Sequence, residues 1–262
     1  MNILDTIVAH KLKEVEERRK LTSISELEKK SNFSMPIKSL SASLNRDDCS
    51  GIIAEFKRKS PSKGFIKQNA DVKKITSAYT EFGAACLSVL TDIDFFGGSD
   101  EDLLVARKNN IPILRKDFVV DDYQIVEAKS LGADVILLIA ACLTPGQVKR
   151  FSSLAASLGL EAILELHSEE ELGHICEEVK FVGVNNRDLK TFKVDIERSL
   201  KMAEKIPNDK IKIAESGINT VDDILIFRNN GFKGFLIGEH FMKQSDTGLY
   251  FKNFVEELKS RI

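Results

Sequence analysis

Glu55, Lys57, Arg58, Lys59, Ser60, Ser62 and Lys63 place one carboxylate, four cations and two hydroxyls within nine residues, with Pro61 among them and Gly64 just beyond. They follow an apolar run, Ile52 to Ala54, that reads as a buried strand. Glu55 and Lys57 share a strand face, so a core strand would end in paired charge beside a stiff loop. Such an arrangement suits an anionic ligand. A solvated basic turn accounts for the composition equally well.

Comparable groups recur at the ends of later apolar runs. One run leads into Asp92, Asp94, Phe95 and Phe96, and the next into Arg115, Lys116, Asp117 and Phe118. Glu165 sits inside another, and three more end in Asn185-Asn186-Arg187-Asp188, Glu215-Ser216-Gly217 and Gly238-Glu239. The run ending in Ala140-Ala141-Cys142 is bland. One charge in a loop means little. Brought together, Glu55, Lys57, Lys116, Glu165, Asn185, Arg187, Glu215 and Ser216 would form a pocket of acids, bases and anion clamps that shift one another's pKa values. Structural salt bridges are the competing explanation.

The elements that would position these residues alternate along the chain. Strand candidates cover 52–56, 85–90, 113–115, 135–139, 162–166, 181–184, 211–214 and 235–237. Between them, apolar residues recur three and four apart over 72–82, 99–109, 123–131, 145–158, 169–178, 196–205 and 221–230, as an inward helix face requires. Gly83, Gly132, Gly159 and Gly231 stand where left-handed helix stops belong. Eight strand–helix units predict a parallel sheet closed as a (β/α)8 TIM barrel, an α/β fold. An open doubly wound sheet would be favoured by a glycine-rich dinucleotide fingerprint after the first strand, and the chain has none there.

A barrel brings its strand C-termini to one face, where active sites form. Gly217 and Gly238 follow the last two strands, the usual place for a phosphate held by backbone N–H groups. Glu239 fits only if its carboxylate points away and its N–H alone is offered. Two ordinary βα turns are the alternative. In such a barrel Glu55 and Lys57 belong to the reacting centre, and Arg58, Lys59 and Lys63 become solvated charge.

Residues 1–50 fall outside the eightfold pattern and read as a helical extension of the same domain, the barrel occupying 51–262. Residues 3–19 predict a helix with Ile7, Val8, Leu12 and Val15 on its packed side and a Lys/Glu face opposite. A short helix is expected at 25–30 and a loop over 31–49. The extension reads as either a lid across the barrel or a plug at its bottom.

Composition narrows the partners. With 38 basic and 40 acidic residues the net charge is −2, which argues against nucleic acid. No run reaches the length of a membrane span, and the N-terminus lacks a signal peptide's apolar core. Four scattered cysteines argue against a metal site or disulfide framework and suit a reducing cytoplasm. His167, just past a strand, is the histidine nearest the suspected chemistry, and a bystander role is expected of it.

The segment AEFKRKSPSKG resembles the first-strand motif of the indole-3-glycerol phosphate synthase family. The resemblance continues in order and spacing through SVLTDIDFFGGS, PILRKDF, ILELH, VGVNNRDL, IAESGI and FLIGE. It implies a cofactor-free and metal-free cytoplasmic enzyme of tryptophan biosynthesis, a monomer or weak homodimer. The implied substrate is 1-(2-carboxyphenylamino)-1-deoxyribulose 5-phosphate, which is cyclised with loss of carbon dioxide and water. By the same resemblance Lys116 is the general acid, Lys57, Glu55 and Glu165 serve the later proton transfers, and Asn185 bonds substrate and neighbours. Phe96 and Phe118 wall the aryl ring, and Arg187, Glu215 and Ser216 form a charged and polar wall. Ser60, Gly217, Gly238 and the N–H of Glu239 hold the phosphate. Some family members carry serine at the position of Glu239, so only its backbone contact is carried over. A phosphosugar aldolase or isomerase on the same barrel, or a noncatalytic phospholigand-binding barrel, are the rival readings.

Overall fold

The computed structural model describes residues 3–188 and 193–262; the last residue of the VGVNNRDL motif, Leu189, lies outside them. Before the barrel come α1 (Ile3–Leu21), α2 (Ile24–Leu27) and α3 (Leu40–Leu44). The first barrel strand, β1 (Ile52–Phe56), leads into a small hairpin of β2 (Lys59–Ser60) and β3 (Gly64–Phe65), then α4 (Val72–Glu81). Next are β4 (Cys86–Leu90), α5 (Asp100–Ala106), β5 (Ile113–Lys116), α6 (Asp122–Leu131), β6 (Val135–Ile139) and α7 (Pro145–Ser157). The chain continues through β7 (Glu161–Leu166), β8 (Phe181–Asn185), α8 (Ile196–Ala203), β9 (Ile211–Glu215) and α9 (Val221–Asn229). It finishes with β10 (Phe232–Ile237), α10 (Glu239–Met242) and α11 (Thr247–Lys259).

Eight of these strands close in the order β1-β10-β9-β8-β7-β6-β5-β4, every pairing parallel. This is the TIM barrel that the alternating pattern predicts. Successive strand residues face opposite ways, so each strand feeds two cores. Ile53, Leu114, Leu137, Ile163, Phe181 and Ile213 fill the barrel interior. Their neighbours Ile52, Ile113, Ile136, Leu164 and Val182 pack beneath the helices. The interior parity carries on to Glu55, Lys116, Glu165, Asn185 and Glu215 at the strand ends.

Asp71, Ser99, Asp121, Thr144, Asp195 and Thr220 cap the first turns of α4 to α9 by accepting backbone N–H bonds. The four predicted stop glycines all have positive φ. These caps fix where each helix starts and ends, and so how the βα loops are aimed.

The extension is both lid and plug, in different segments. Ile3, Leu4 and Ile7 of α1 line the cavity at the strand C-termini. At the other end Leu40 and Leu44 of α3 join the interior core, Ser43 Oγ donates to the Ala85 carbonyl at 2.7 Å, and Leu40 N–H donates to Glu161 at 2.6 Å.

Four expectations are corrected. The loop expected over 31–49 contains α3, started by a Ser39 cap on Ala42 N–H. The helix expected over 169–178 is only a 3-10 turn, Glu169–His174, with no residue fully buried; of its six residues only Leu172 is an apolar side chain packed against the core. On α1 the packed residues are Ile7, Lys11 and Val15, whereas Leu12 is half exposed. Finally, Arg58 is not solvated charge: it pairs with Asp102 of α5 and donates to the Ala70 carbonyl at 3.3 Å.

Candidate active site

A cavity of about 410 Å³ opens at the C-terminal ends of the strands. All fourteen residues singled out above border it: Glu55, Lys57, Ser60, Phe96, Lys116, Phe118, Glu165, Asn185, Arg187, Glu215, Ser216, Gly217, Gly238 and Glu239. Residues separated by up to 184 positions meet there because each ends a different strand or starts the loop after it.

Lys116 occupies the centre. From β5 its Nζ reaches Glu165 of β7 at 3.1 Å and Glu215 of β9, diametrically across the barrel, at 3.9 Å. Burial opposes its charge, but Glu165, Glu215 and Glu55 outweigh burial and raise its pKa above the ordinary lysine value. Glu165 is held ionised below the usual carboxylate range: burial works against this, and Lys116, then His167 and Asn185, overcome it. Glu215 behaves oppositely. Its burial, the Glu165 charge and that of Glu55 push its pKa well up against the pull of Lys116. Of the three carboxylates, Glu165 does most to hold Lys116 charged.

Asn185 Nδ2 donates to Glu165 Oε1 at 2.8 Å, and Asn185 Oδ1 accepts from the Arg187 N–H at 3.0 Å. On β1, Lys57 Nζ lies 2.6 Å from Glu55 Oε1. Gly238 lets that pair sit deep: a methyl there would overlap Glu55 Oε1 and lie 2.9 Å from its Cβ and Cδ. Gly183 makes room for Glu215 in the same way.

The residues expected at the aryl ring and those expected at the phosphate come from different strand ends. Phe96 and Phe118, from the loops after β4 and β5, stack obliquely with centroids 5.9 Å apart. The ends of β9, opposite β5, and of β10 bring Ser216, Gly217, Gly238 and Glu239, while the hairpin after β1 brings Ser60 next to the Phe96 loop, whose carbonyl accepts from the Lys59 N–H at 3.2 Å. Ser60 Oγ is buried with no hydrogen-bond partner among the described residues, so it is ready for a ligand oxygen. Ser216 is a non-glycine residue at φ 66°, a strained conformation supported by Asn186 Nδ2 donating to its carbonyl at 2.7 Å. The Glu239 carboxylate turns toward Arg187, 3.9 Å away, in keeping with a contribution to anion binding from its backbone alone.

Over nearly its whole length, residues 4–254, the chain matches the model of the indole-3-glycerol phosphate synthase family. The chain belongs to the indole-3-glycerol phosphate synthase family. Its activity is that of the family, a step of tryptophan biosynthesis. A relative of that name in Bacteroides thetaiotaomicron is 44% identical over 98% of this chain and 99% of its own length. The Acinetobacter baumannii relative is 42% identical over 92% and 91%. Among solved structures, a tryptophan synthase chain of Pyrococcus furiosus superposes with TM-score 0.60 at 16% identity, covering 81% of this chain and 98% of that one; that likeness concerns the fold alone.

Several residues at or beside the cavity carry no clear signal in the sequence. His167, expected to be a bystander, has Nε2 3.0 Å from Glu165 Oε1. Its position two residues beyond Glu165 carried the hint, since strand parity gives the two one face. Ile3, Leu4 and Ile7 gave no signal, because nothing local tells which end of a barrel a flanking helix covers. Lys63 and Lys243 also border the cavity.

Proposed function

We propose that this cavity cyclises 1-(2-carboxyphenylamino)-1-deoxyribulose 5-phosphate to indole-3-glycerol phosphate with release of carbon dioxide and water, a carboxy-lyase reaction. The observation that carries the reading is Lys116 Nζ set between Glu165 and Glu215, in a cavity that also holds the Phe96–Phe118 pair and the glycines after β9 and β10.

The phosphate is held by the N–H groups of Gly217, Gly238 and Glu239 with Ser60, and the aryl ring lies between Phe96 and Phe118. The substrate then spans the barrel axis with its ketone beside Lys116. Lys116 gives a proton to the ketone oxygen as the ring carbon bearing the carboxylate attacks the ketone carbon; the new C–C bond forms and carbon dioxide departs. The hydroxyl so made leaves as water with a proton from the Lys57–Glu55 pair. Glu165, held ionised, takes the proton from the carbon beside nitrogen in the new five-membered ring, whose loss with the hydroxyl makes that ring aromatic. Asn185 orients Glu165, and Arg187, Ser216 and Glu215 hold the substrate's polar groups. A raised lysine pKa suits an acid that is always charged. It disfavours the aldolase alternative, whose imine requires an unprotonated amine.

No group beyond these side chains takes part in this scheme, which needs neither metal nor cofactor. Residues 1–50 and the barrel over 51–262 act as one domain, in a cytoplasmic monomer or weak homodimer without nucleic-acid or membrane partners. Incubation with the substrate while indole product is monitored tests the reaction, and no turnover by folded protein would refute it. Lys116→Ala should bind substrate yet lose roughly 10²–10⁴-fold in kcat; near-wild-type turnover removes Lys116 from the acid role.

A further inference from the structure

Lys11 lies in the middle of α1, on a helix whose sequence promises a solvated Lys/Glu face, yet it is 1% exposed. Its Nζ stands 2.7 Å from Glu14, 3.0 Å from Asp92 and 3.1 Å from Asp117. Both aspartates are buried; Asp117 directly follows β5 and Asp92 lies two residues past the end of β4. Burial opposes the Lys11 charge, but Asp117 and Asp92 outweigh it and raise the pKa.

Each aspartate holds one wall of the ring pocket. Asp92 Oδ1 accepts from the N–H groups of Phe95 and Phe96 at 2.8 and 3.2 Å. Asp117 Oδ1 accepts from the Phe118 N–H at 2.8 Å, while its Oδ2 accepts from Thr91 Oγ1 at 2.7 Å. Asp117 also has Arg115, 3.6 Å away. Among the described residues Asp92 has no cation within ion-pair distance other than Lys11.

A buried ion cluster adds little net stability compared with apolar residues of the same volume, so its value here lies in geometry. We propose that Lys11 is a positioning residue for the substrate's ring: by joining Asp92 to Asp117 it sets the spacing of the two loops that present Phe96 and Phe118. The inference rests on the reading of those phenylalanines as the aryl walls. It makes α1 part of the ring-binding machinery. It also predicts selectivity, because Lys11 touches none of the groups at the phosphate end.

The test compares Lys11→Met with Arg18→Met. Arg18 lies on the same helix and pairs with Glu14, Asp100 and Glu127, none of which holds a phenylalanine loop. Calorimetric titration with 2-aminobenzoate reads the ring pocket, and competition by inorganic phosphate reads the other end. For Lys11→Met the 2-aminobenzoate Kd and the substrate KM should rise roughly tenfold or more, with the phosphate inhibition constant within about twofold of wild type. Arg18→Met should leave both near wild type. Unchanged ring affinity in Lys11→Met, equal losses at both ends, or the same ring loss in Arg18→Met would each overturn the proposal. If Lys11→Met does not fold, Lys11→Gln, which removes the charge and leaves both aspartates in place, takes its place: a ring-selective loss supports the linkage and wild-type ring affinity overturns it. Wild-type turnover tests the reaction separately, whereas the variant-to-wild-type ratio of 2-aminobenzoate affinity tests Lys11.

Discussion

Gly183 should prove as intolerant of a methyl group as many residues that touch substrate. It lies on β8 inside the barrel, where a Cβ would overlap Glu215 Oε1 and sit 3.3 Å from Glu215 Cδ and Ile163 Cγ2. Ile163 is locked in the interior core, so the carboxyl group must yield. Restoring van der Waals separations of about 3.5 Å requires it to move by about 1 Å. A shift of about 1 Å at a reacting centre lowers kcat/KM by roughly 10²-fold, or about 2.7 kcal/mol of transition-state stabilisation. Overpacking would remove a further ~1–3 kcal/mol of stability, a fall of roughly 2–12 °C in Tm for a chain of this size. Steady-state kinetics and thermal melts of Gly183→Ala, Glu215→Ala and the double variant check this. With Glu215 already truncated the new methyl has space, so the double variant should match Glu215→Ala in both measurements. Additive losses, or wild-type kcat/KM in Gly183→Ala, would refute the steric argument.

Glu215→Gln should raise Tm near neutral pH while lowering activity. The folded Glu215 keeps its proton well above the ordinary carboxylate range, whereas the unfolded one loses it near pH ~4.3. Above that pH the folded state binds more protons and stability falls as pH rises, a slope the amide removes; melts from pH 4 to 8 with the wild-type slope intact would contradict it. His167→Phe should move the acidic limb of the kcat/KM profile to higher pH, because His167 helps hold Glu165 ionised; an unshifted limb would remove it from that role. Glu239→Ser should leave phosphate inhibition unchanged or strengthen it, since a carboxylate is taken from the anion end and the backbone N–H remains. A large loss of phosphate affinity would show that the carboxylate itself matters.

Strand positions were legible because a parallel strand buried on both faces needs an unbroken run of branched residues, and the chain supplies eight. The 3-10 turn at Glu169–His174 was misread because its spacing of Leu172, Ile175 and Cys176 imitates a helix face that the packing never uses in full. Lys11 was misread for a related reason. Helical periodicity marks apolar residues as inward, and a lysine that faces two buried aspartates is invisible until those aspartates are placed.

The sequence alone determined the (β/α)8 order, the residues at each strand end and the family. Residue type, strand parity and motif spacing are local properties that survive without coordinates. Tertiary structure decided which groups meet across the barrel. It set Glu215 beside Glu165, so that the proton affinity of one carboxyl is raised and that of the other lowered. It also set α1 over the mouth, and His167 and Lys11 against the carboxylates they support. Proton affinity and pairing depend on distances between segments far apart in the chain, and only closure of the barrel fixes those distances.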